Sequence, residues 1–477
     1  MQMIINGEKR DSANGKVIEV RNMATQELID TVPAATVEDA QEAIEAAQLG
    51  AKIWSQTPVY QRVEILNRFS QMLRDNKGEL ARLLSTENGK LLVQAEGEIE
   101  TAAAIFDGFA AESKRLFGQT IPLEIQPGLE KDLMITKREP LGVVVGIIPF
   151  NFPAELFSFK AGAALASGNA FIVKPPEDDP LTVIRMVELL HEAGVPKNVL
   201  QVVTGYGEEV GDYLAKSPSI QAVSFTGSTE VGTMIAQNGA KNLSRVFLEL
   251  GANDATIVCE DGDLDAAVDF AIAGRLLASG QVCCSNKRIL VEKSIYEDFK
   301  AKLVDILSTK RIGNQLEQGT DVGPLINEGA AIKVEEQIQH TIGQGAKLIL
   351  GGRRVNEAFI EPTVLEVTKD MDIAKDMEMF GPVFALMPFE TQEEAIEIVN
   401  QSNFGLNSSI FTRDITKAMD AGNKIQAGVV SINGGTVYRP ICCAFGGYKK
   451  SGIGREGILY TLEEFTQIKS IVLRGVM

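Results

Sequence analysis

The chain has 477 residues, of which 45% are apolar and 23% charged, and its formal net charge is −18. That length predicts two or three domains with ample cores. The acidic balance, with no Lys/Arg cluster against it, disfavours nucleic acid and anionic membranes as partners. The longest apolar run, residues 141–150, is too short for a bilayer, which takes about 20 residues.

The N-terminal stretch has no basic region followed by a long apolar core, so no signal peptide is expected. Five cysteines, an odd number, fit free thiols in a reducing cytoplasm. Residues 1–34 read as short strands and turns. Thr36 is the expected cap of an amphipathic helix beginning at Val37. Helical periodicity continues over 60–76, 78–87 and 93–117, with Gly118 as the stop. Residues 119–139 differ: two extended runs flank Pro127-Gly128, as in a hairpin that projects from the body.

From 141 the chain alternates strand and helix. Residues 141–148 form a continuous apolar run of the kind a two-sided parallel sheet needs. Pro153 suits the first turn of the next helix and Gly168 its end. Strands follow at 170–174, 199–203, 220–225 and 245–250, with helices over 180–193, near 208–215 and after Thr229. This alternation predicts a doubly wound nucleotide-binding domain. A second αβ block covers about 252–450, with strands expected at 255–259, 288–292, 347–350, 383–388, 408–412 and 428–432. The tail, 465–473, alternates like an edge strand that could pair with the 119–139 hairpin.

The cysteines are Cys259, Cys283, Cys284, Cys442 and Cys443, and the only histidines are His191 and His340. Without a Cys-x-x-Cys pair, zinc-finger and thioredoxin readings fail, and no metal is expected. Neither histidine sits in a site-like stretch, so a nucleophile at Cys283 needs a carboxylate as base. Taken alone, a cysteine there is more often buried packing.

The other motifs each carry a bland reading as well. Phe225-Thr-Gly-Ser228, continuing to Gly232, lies between a strand and a helix. Gly227 allows a sharp turn, and Ser228 with the free N–H groups of the helix start suits a phosphate or merely caps the helix. Lys174-Pro-Pro-Glu177 ends a strand where nucleotides bind, or is a solvated turn. Asn151, between Phe150 and Phe152, offers an oxyanion donor or a helix cap. Glu249 ends an apolar strand before Gly251, and either caps local backbone or is a base with a raised pKa. The 378–383 stretch reads alone as a turn.

In order, Pro149-Phe-Asn-Phe-Pro153, Lys174-Pro-Pro-Glu177, Phe225-Thr-Gly-Ser228, Glu249-Leu-Gly251, Gly280-Gln-Val-Cys283, Glu378-Met-Phe-Gly-Pro382 and Phe445-Gly-Gly-Tyr-Lys449 resemble the aldehyde dehydrogenase superfamily over essentially the whole chain. The spellings are most similar to its lactaldehyde and non-phosphorylating glyceraldehyde-3-phosphate branch. The resemblance implies an α/β aldehyde dehydrogenase fold with a Rossmann-like NAD-binding domain (1–118 and 140–250). It further implies an α/β catalytic domain (251–450) and a small β oligomerisation flap (119–139 and 451–477). It implies NAD as cofactor, with NADP admitted, a small aldehyde as the partner molecule, and a homodimer or homotetramer.

It also implies roles. Cys283 is the expected nucleophile and Glu249 the general base. Asn151 and the Cys283 backbone N–H make the oxyanion hole, and Lys160 takes part in proton relay. Lys174 and Glu177 hold the adenosine ribose, and Gly227, Ser228 and Gly232 belong to the phosphate segment. Glu378 holds the nicotinamide ribose, with Phe380 near the ring, and Phe150 is a further cofactor-binding residue. The reaction then runs from a Cys283 thiohemiacetal through a thioester to a carboxylic acid.

Some positions depart from the common pattern: Phe150 for Trp, Ala252 for Gly, Ser285 for Ala and Ala444 for Pro. The unusual Tyr438-Arg-Pro-Ile-Cys-Cys443 segment carries Arg439, read either as a donor fork for a polar substrate or as a surface ion-pair residue. Lactaldehyde-like hydroxyaldehydes lead, with succinate semialdehyde and glyceraldehyde phosphate as alternatives. A CoA-acylating dehydrogenase is the rival reaction, which the carboxylate at Glu249 disfavours. A non-enzymatic binding protein need not keep Cys283, Glu249 and Asn151 together.

Overall fold

The computed structural model describes residues 1–476. Two sheets set its layout. In the first, the strands Leu200–Val202, Ala170–Lys174, Val143–Ile147, Ala222–Thr226 and Arg245–Glu249 lie side by side in that order, all parallel. Helices such as Val37–Trp54, Pro153–Ser167, Leu181–Ala193 and Thr229–Asn242 cover its faces. The central strands are buried along their whole length, which is why they read as unbroken apolar runs. Short antiparallel strands extend both sides: Met3–Ile5 beside Leu200–Val202, with Glu8–Arg10 outside it as the edge, and Gly452–Ile453 beside Arg245–Glu249.

The second sheet runs Lys347–Leu350, Thr363–Glu366, Val383–Phe389, Arg288–Glu292, Ala255–Val258, Asn407–Phe411, Val429–Ile432. All neighbours are parallel except the first pair. Thr363–Glu366 is an addition to the strands expected from sequence. It is only four residues long and opens straight after Pro362, so its period-2 pattern is too short to register.

Local chemistry explains several boundaries. Thr36 does cap Val37–Trp54, and the Asp39 carboxylate accepts in return from the Thr36 N–H, completing a capping box worth about 1 kcal/mol. Gly168 ends Pro153–Ser167 in the left-handed region, at φ 94°. The long helix expected over 93–117 is shorter: Leu92–Glu112 ends in the turn Ser113–Arg115. Gly118 is therefore not its stop. A Cβ there would lie 1.7 Å from the Thr136 carbonyl oxygen, so the glycine serves close strand packing instead.

The tail pairs as expected. Thr466–Leu473 runs antiparallel to Leu133–Pro140, from Thr466 opposite Pro140 to Leu473 opposite Leu133, and Thr120–Pro122 completes a three-stranded flap. Ile468, Ile471 and Val472 are exposed on its outer strand. Among the described residues no helix is long and apolar enough to cross a membrane.

Candidate active site

The C-terminal ends of the first sheet's strands deliver most of the candidate residues to one place, as an open parallel sheet requires. Val143–Ile147 runs on to Phe150 and Asn151, Ala170–Lys174 ends at Lys174, Ala222–Thr226 leads to Gly227 and Ser228, and Arg245–Glu249 ends at Glu249. A cavity of about 580 Å³ is lined by Phe150, Lys174, Glu177, Gly227 and Ser228. A second, of about 500 Å³, is lined by Phe150, Asn151, Cys283, Glu378 and Phe380. Phe150, Gly227 and Ser228 border both, so the two form one extended cleft.

That cleft fits a dinucleotide by its donors. Lys174 Nζ and the Gly207 N–H both donate to Glu177 Oε1, each at 2.6 Å, which fixes a carboxylate at the outer end. Ser228 does cap Thr229–Asn242, its hydroxyl accepting from the Val231 N–H, and Ser228 and Val231 line the cleft at that helix start. Gly227 is needed for space rather than for a left-handed turn, because a Cβ would meet the Phe225 ring at 2.4 Å. Gly232 lies outside the cleft lining. It is buried one turn into the helix, where a Cβ would meet Leu250 Cδ2 at 2.3 Å, so its part is helix packing.

Cys283 projects from a strained loop. Ala278, Ser279 and Gly280 follow one another in the left-handed region, with φ of 46°, 54° and 83°. For the first two residues this costs about 1–2 kcal/mol each. Buried Arg275 holds the loop: its guanidinium donates to the Val383 carbonyl at 2.7 Å, the Gly280 carbonyl at 3.1 Å, the Met379 carbonyl and the Ser285 hydroxyl. A Cβ on Gly280 would lie 2.2 Å from the Gly381 oxygen, so the Cys283 loop and the 378–382 segment are packed backbone to backbone.

Lys287 is buried beneath the cysteine. Its Nζ donates to the Val282 carbonyl at 3.1 Å and to the Cys283 carbonyl, and lies 3.3 Å from Glu378 Oε1. The Cys284 thiol first, then the Lys287 and Arg439 charges, hold Cys283 below the usual thiol range. Contact with Cys283 and burial push Cys284 well above it. Sequence reasoning missed Arg275 and Lys287. The one available signal for Lys287 is a charge set in a small-residue stretch just before the buried strand Arg288–Glu292.

Asn151 sits on a turn braced from behind. Asn88 Nδ2 donates to the Phe150 carbonyl at 2.6 Å, and Lys90 Nζ to the Asn151 carbonyl at 2.7 Å. Lys90 is also paired with Glu98, and both are buried. Glu98 Oε1 in turn accepts from the Ala154 and Glu155 N–H groups at the start of the helix. Phe152 occupies the cap position, so Asn151 is not the helix cap. Its Oδ1 accepts from the Phe152 N–H at 3.1 Å, which leaves the Nδ2 group as the free donor. Phe150 and Phe380 meet edge to face with centroids 6.0 Å apart. Glu378 Oε1 accepts from the Ala252 N–H at 3.2 Å.

Glu249 is buried but does not line the Cys283 cavity; its neighbours Leu250 and Gly251 do. Its carboxylate turns instead towards a buried charge cluster, and its Oε2 has no hydrogen-bond partner. Burial, then the Glu456 charge, push its titration well above the carboxylate range, while Arg439 and Lys160 oppose the shift. Lys160 Nζ donates at 2.8 Å to both the Thr226 hydroxyl and Glu456 Oε1.

Arg439 corrects both readings made of it. It is neither a surface ion-pair residue nor part of the lining around Cys283. Its side chain is 12% exposed and pairs with Glu456 at 2.5 Å and Glu155 at 3.5 Å. Its guanidinium lies 3.9 Å from the Phe445 ring centroid and 4.5 Å from that of Phe159.

Comparison with known proteins agrees with this geometry. The model of the aldehyde dehydrogenase family matches residues 9–471. The glutarate-semialdehyde dehydrogenase of Pseudomonas putida strain KT2440 is 41% identical, covering 99% of this chain and 97% of that protein. The succinate-semialdehyde dehydrogenase of Escherichia coli K12, whose name specifies NADP(+), is 37% identical over 98% of this chain and 96% of its own length. The NAD+ complex of an aldehyde dehydrogenase from Bacillus cereus superposes with a TM-score of 0.96 at 35% identity, over 99% of this chain and 96% of that one. With its fold, its cleft and its motifs in one arrangement, this chain belongs to the aldehyde dehydrogenase family and is an NAD(P)-dependent oxidoreductase acting on aldehydes.

Proposed function

We propose that the protein oxidises a short polar or anionic aldehyde to its carboxylic acid, with Cys283 as nucleophile. The observation that carries this reading is that Cys283 and Asn151 border the same cavity, which opens past Phe150 and Ser228 into the dinucleotide cleft. The Cys283 thiolate attacks the aldehyde carbon. The Asn151 amide and the Cys283 N–H stabilise the oxyanion, at about 3 kcal/mol for one such donor. The nicotinamide, when bound, supplies the hydride acceptor. Glu249 swings from the buried cluster towards Cys283 and removes a proton from the water that hydrolyses the thioester. Lys160 and Glu456 pass that proton on. Glu378 and Phe380 form the nicotinamide end of the cleft, and Lys174, Glu177 and Ser228 the adenosine and phosphate end.

Two relatives are named for ω-carboxylate semialdehydes, which favours an anionic tail, whereas the motif spelling favours lactaldehyde. The test is NADH formation from succinate semialdehyde, glutarate semialdehyde, lactaldehyde, glyceraldehyde 3-phosphate and hexanal, each with and without CoA. We expect a polar aldehyde to exceed hexanal in kcat/KM by at least about tenfold, with no CoA requirement. Hexanal as the best substrate, or strict dependence on CoA, removes the reading.

NAD+ is the expected preference over NADP+. The outer end of the cleft carries Glu177, Asp178, Glu208 and Asp212 against Lys174 alone. A 2′-phosphate placed there meets like charge, while ribose hydroxyls meet an acceptor. We expect kcat/KM for NAD+ to exceed that for NADP+ by about tenfold or more, and Glu177→Gln to narrow the ratio. A higher value with NADP+ in the unaltered enzyme refutes the assignment of Glu177.

We also read 1–118 with 140–250 as the cofactor domain, 251–450 as the catalytic domain, and 119–139 with 451–477 as a bridging element. The exposed apolar residues on the flap's outer strand, with unpaired backbone beside them, support a homodimer or homotetramer. The odd cysteine count supports a cytoplasmic location.

A further inference from the structure

Arg439 lies in a segment where this chain departs from the family pattern, and the mechanism above leaves it without a task. Its surroundings are those of a structural charge. The guanidinium stacks on Phe445 and Phe159, and its two terminal nitrogens reach Glu456 and Glu155. Glu456 has both oxygens engaged: Oε1 by Lys160 at 2.8 Å and Oε2 by Arg439 at 2.5 Å.

This ion chain lies against Glu249. Thr226, which holds Lys160 Nζ, is the register partner of Glu249 on the adjacent parallel strand. Phe445, the ring under the guanidinium, is bridged to Glu456 and followed by Gly446. A Cβ on Gly446 would come within 3.0 Å of Glu249 Oε1.

Two cations, Lys160 and Arg439, face one fully engaged carboxylate, Glu456. These three groups by themselves sum to one positive charge. Glu155, the other acid beside Arg439, is driven towards its neutral form by burial. Nearby Lys90 and Glu98 neutralise each other. The remaining ionisable groups around Glu249 are Cys283, Arg455 and Glu464, and Glu464 is itself pushed up to about 7 by burial. Among the described residues Glu249 has no ion pair of its own, its Oε2 has no hydrogen-bond partner, and Arg439 and Lys160 are the cations that oppose the upward push on its titration.

We propose that Arg439 is a positioning residue of the deacylation step: it locks Glu456 and supplies the second positive charge that allows buried Glu249 to ionise. This rests on the reading of Glu249 as base. In this role Arg439 acts on every substrate alike, because it touches the base's surroundings and not the aldehyde. Its removal takes away one of the two cations that favour the ionised form of Glu249, so Glu249 holds its proton to higher pH.

The test uses the full enzyme as Arg439→Met, with Arg439→Gln as a second variant that keeps a hydrogen bond to Glu456 should the first not fold, and Arg439→Lys to retain the charge. The readout is the decay of the acyl-enzyme after the NADH burst, as a function of pH. Cys283 is acylated in that step and cannot contribute to its acid limb. We expect the acid limb to move up by about one pH unit in Arg439→Met or Arg439→Gln, with about tenfold slower deacylation near neutral pH that recovers in alkali. The burst amplitude stays near one per site, Arg439→Lys keeps most of the wild-type profile, and polar and apolar aldehydes lose the same factor.

An unmoved acid limb overturns the proposal. A loss confined to KM for polar aldehydes also overturns it and assigns Arg439 to the substrate. The base reading has its own check in Glu249→Gln. If that variant turns over normally, the base reading fails; if it is slow while Arg439→Met keeps the wild-type profile, only the role of Arg439 fails.

Discussion

Cys283→Ala is expected to abolish aldehyde oxidation, and any ester hydrolysis with it, by on the order of 10⁴-fold or more, while Cys284→Ala is expected to keep most of both. The two residues are adjacent, yet their surroundings separate them. Cys283 borders the cavity with Asn151 and is held towards the thiolate by the Cys284 thiol, Lys287 and Arg439. Cys284 is buried in an apolar cluster with Ala252, Val282 and Phe445, and its thiol is pushed up well beyond the physiological range. A nucleophile must be reachable and inclined to the thiolate, and of the two only Cys283 borders the cavity and has its titration lowered. Rate measurements with an aldehyde and with a chromogenic ester give the same comparison by two routes. Comparable losses from the two substitutions would leave the assignment to Cys283 without support.

The parts of this site that were readable in the sequence are those carried by local pattern. The buried strands Val143–Ile147 and Ala170–Lys174 announce themselves as apolar runs, and their ends mark where Asn151 and Lys174 must lie. The Thr36 cap, the Gly168 stop and the pairing of Thr466–Leu473 with the hairpin follow from residue chemistry at single positions. What was not readable depends on partners far away in the chain. Lys90, Glu98 and Arg275 look like ordinary helix or loop charges, and their burial exists only because the helix Pro153–Ser167 and the Met379–Val383 backbone come to meet them. Arg439 shows the same limit most clearly. Its loop reads as an exposed entrance, but Glu155, Phe159, Phe445 and Glu456 fold around it and turn a candidate substrate ligand into an internal charge. Gly232 shows a related limit: the Leu250 side chain packed on it cannot be read from its place in a phosphate-like motif.

Glu249→Gln separates the two halves of the reaction. Attack by Cys283 and departure of the hydride need the thiolate and the oxyanion donors, none of which the substitution touches. The first turnover is therefore expected to release about one NADH per active site at close to the unaltered rate. Hydrolysis of the thioester needs a base, and an amide of the same shape cannot accept the proton from water. Steady turnover should fall by on the order of a hundredfold. Glutamine also removes a carboxylate that burial holds well above its usual titration range, so the folded protein loses no charge that it kept cheaply. A gross loss of stability is not expected, and the burst itself counts intact sites. The acid limb of the unaltered enzyme's deacylation rate should disappear in the variant, since a glutamine has no proton to lose. Rapid-mixing absorbance of NADH, followed by the slow steady phase across pH, records all three quantities in one experiment. Steady turnover close to that of the unaltered enzyme, or an acid limb that persists, shows that another group activates the water.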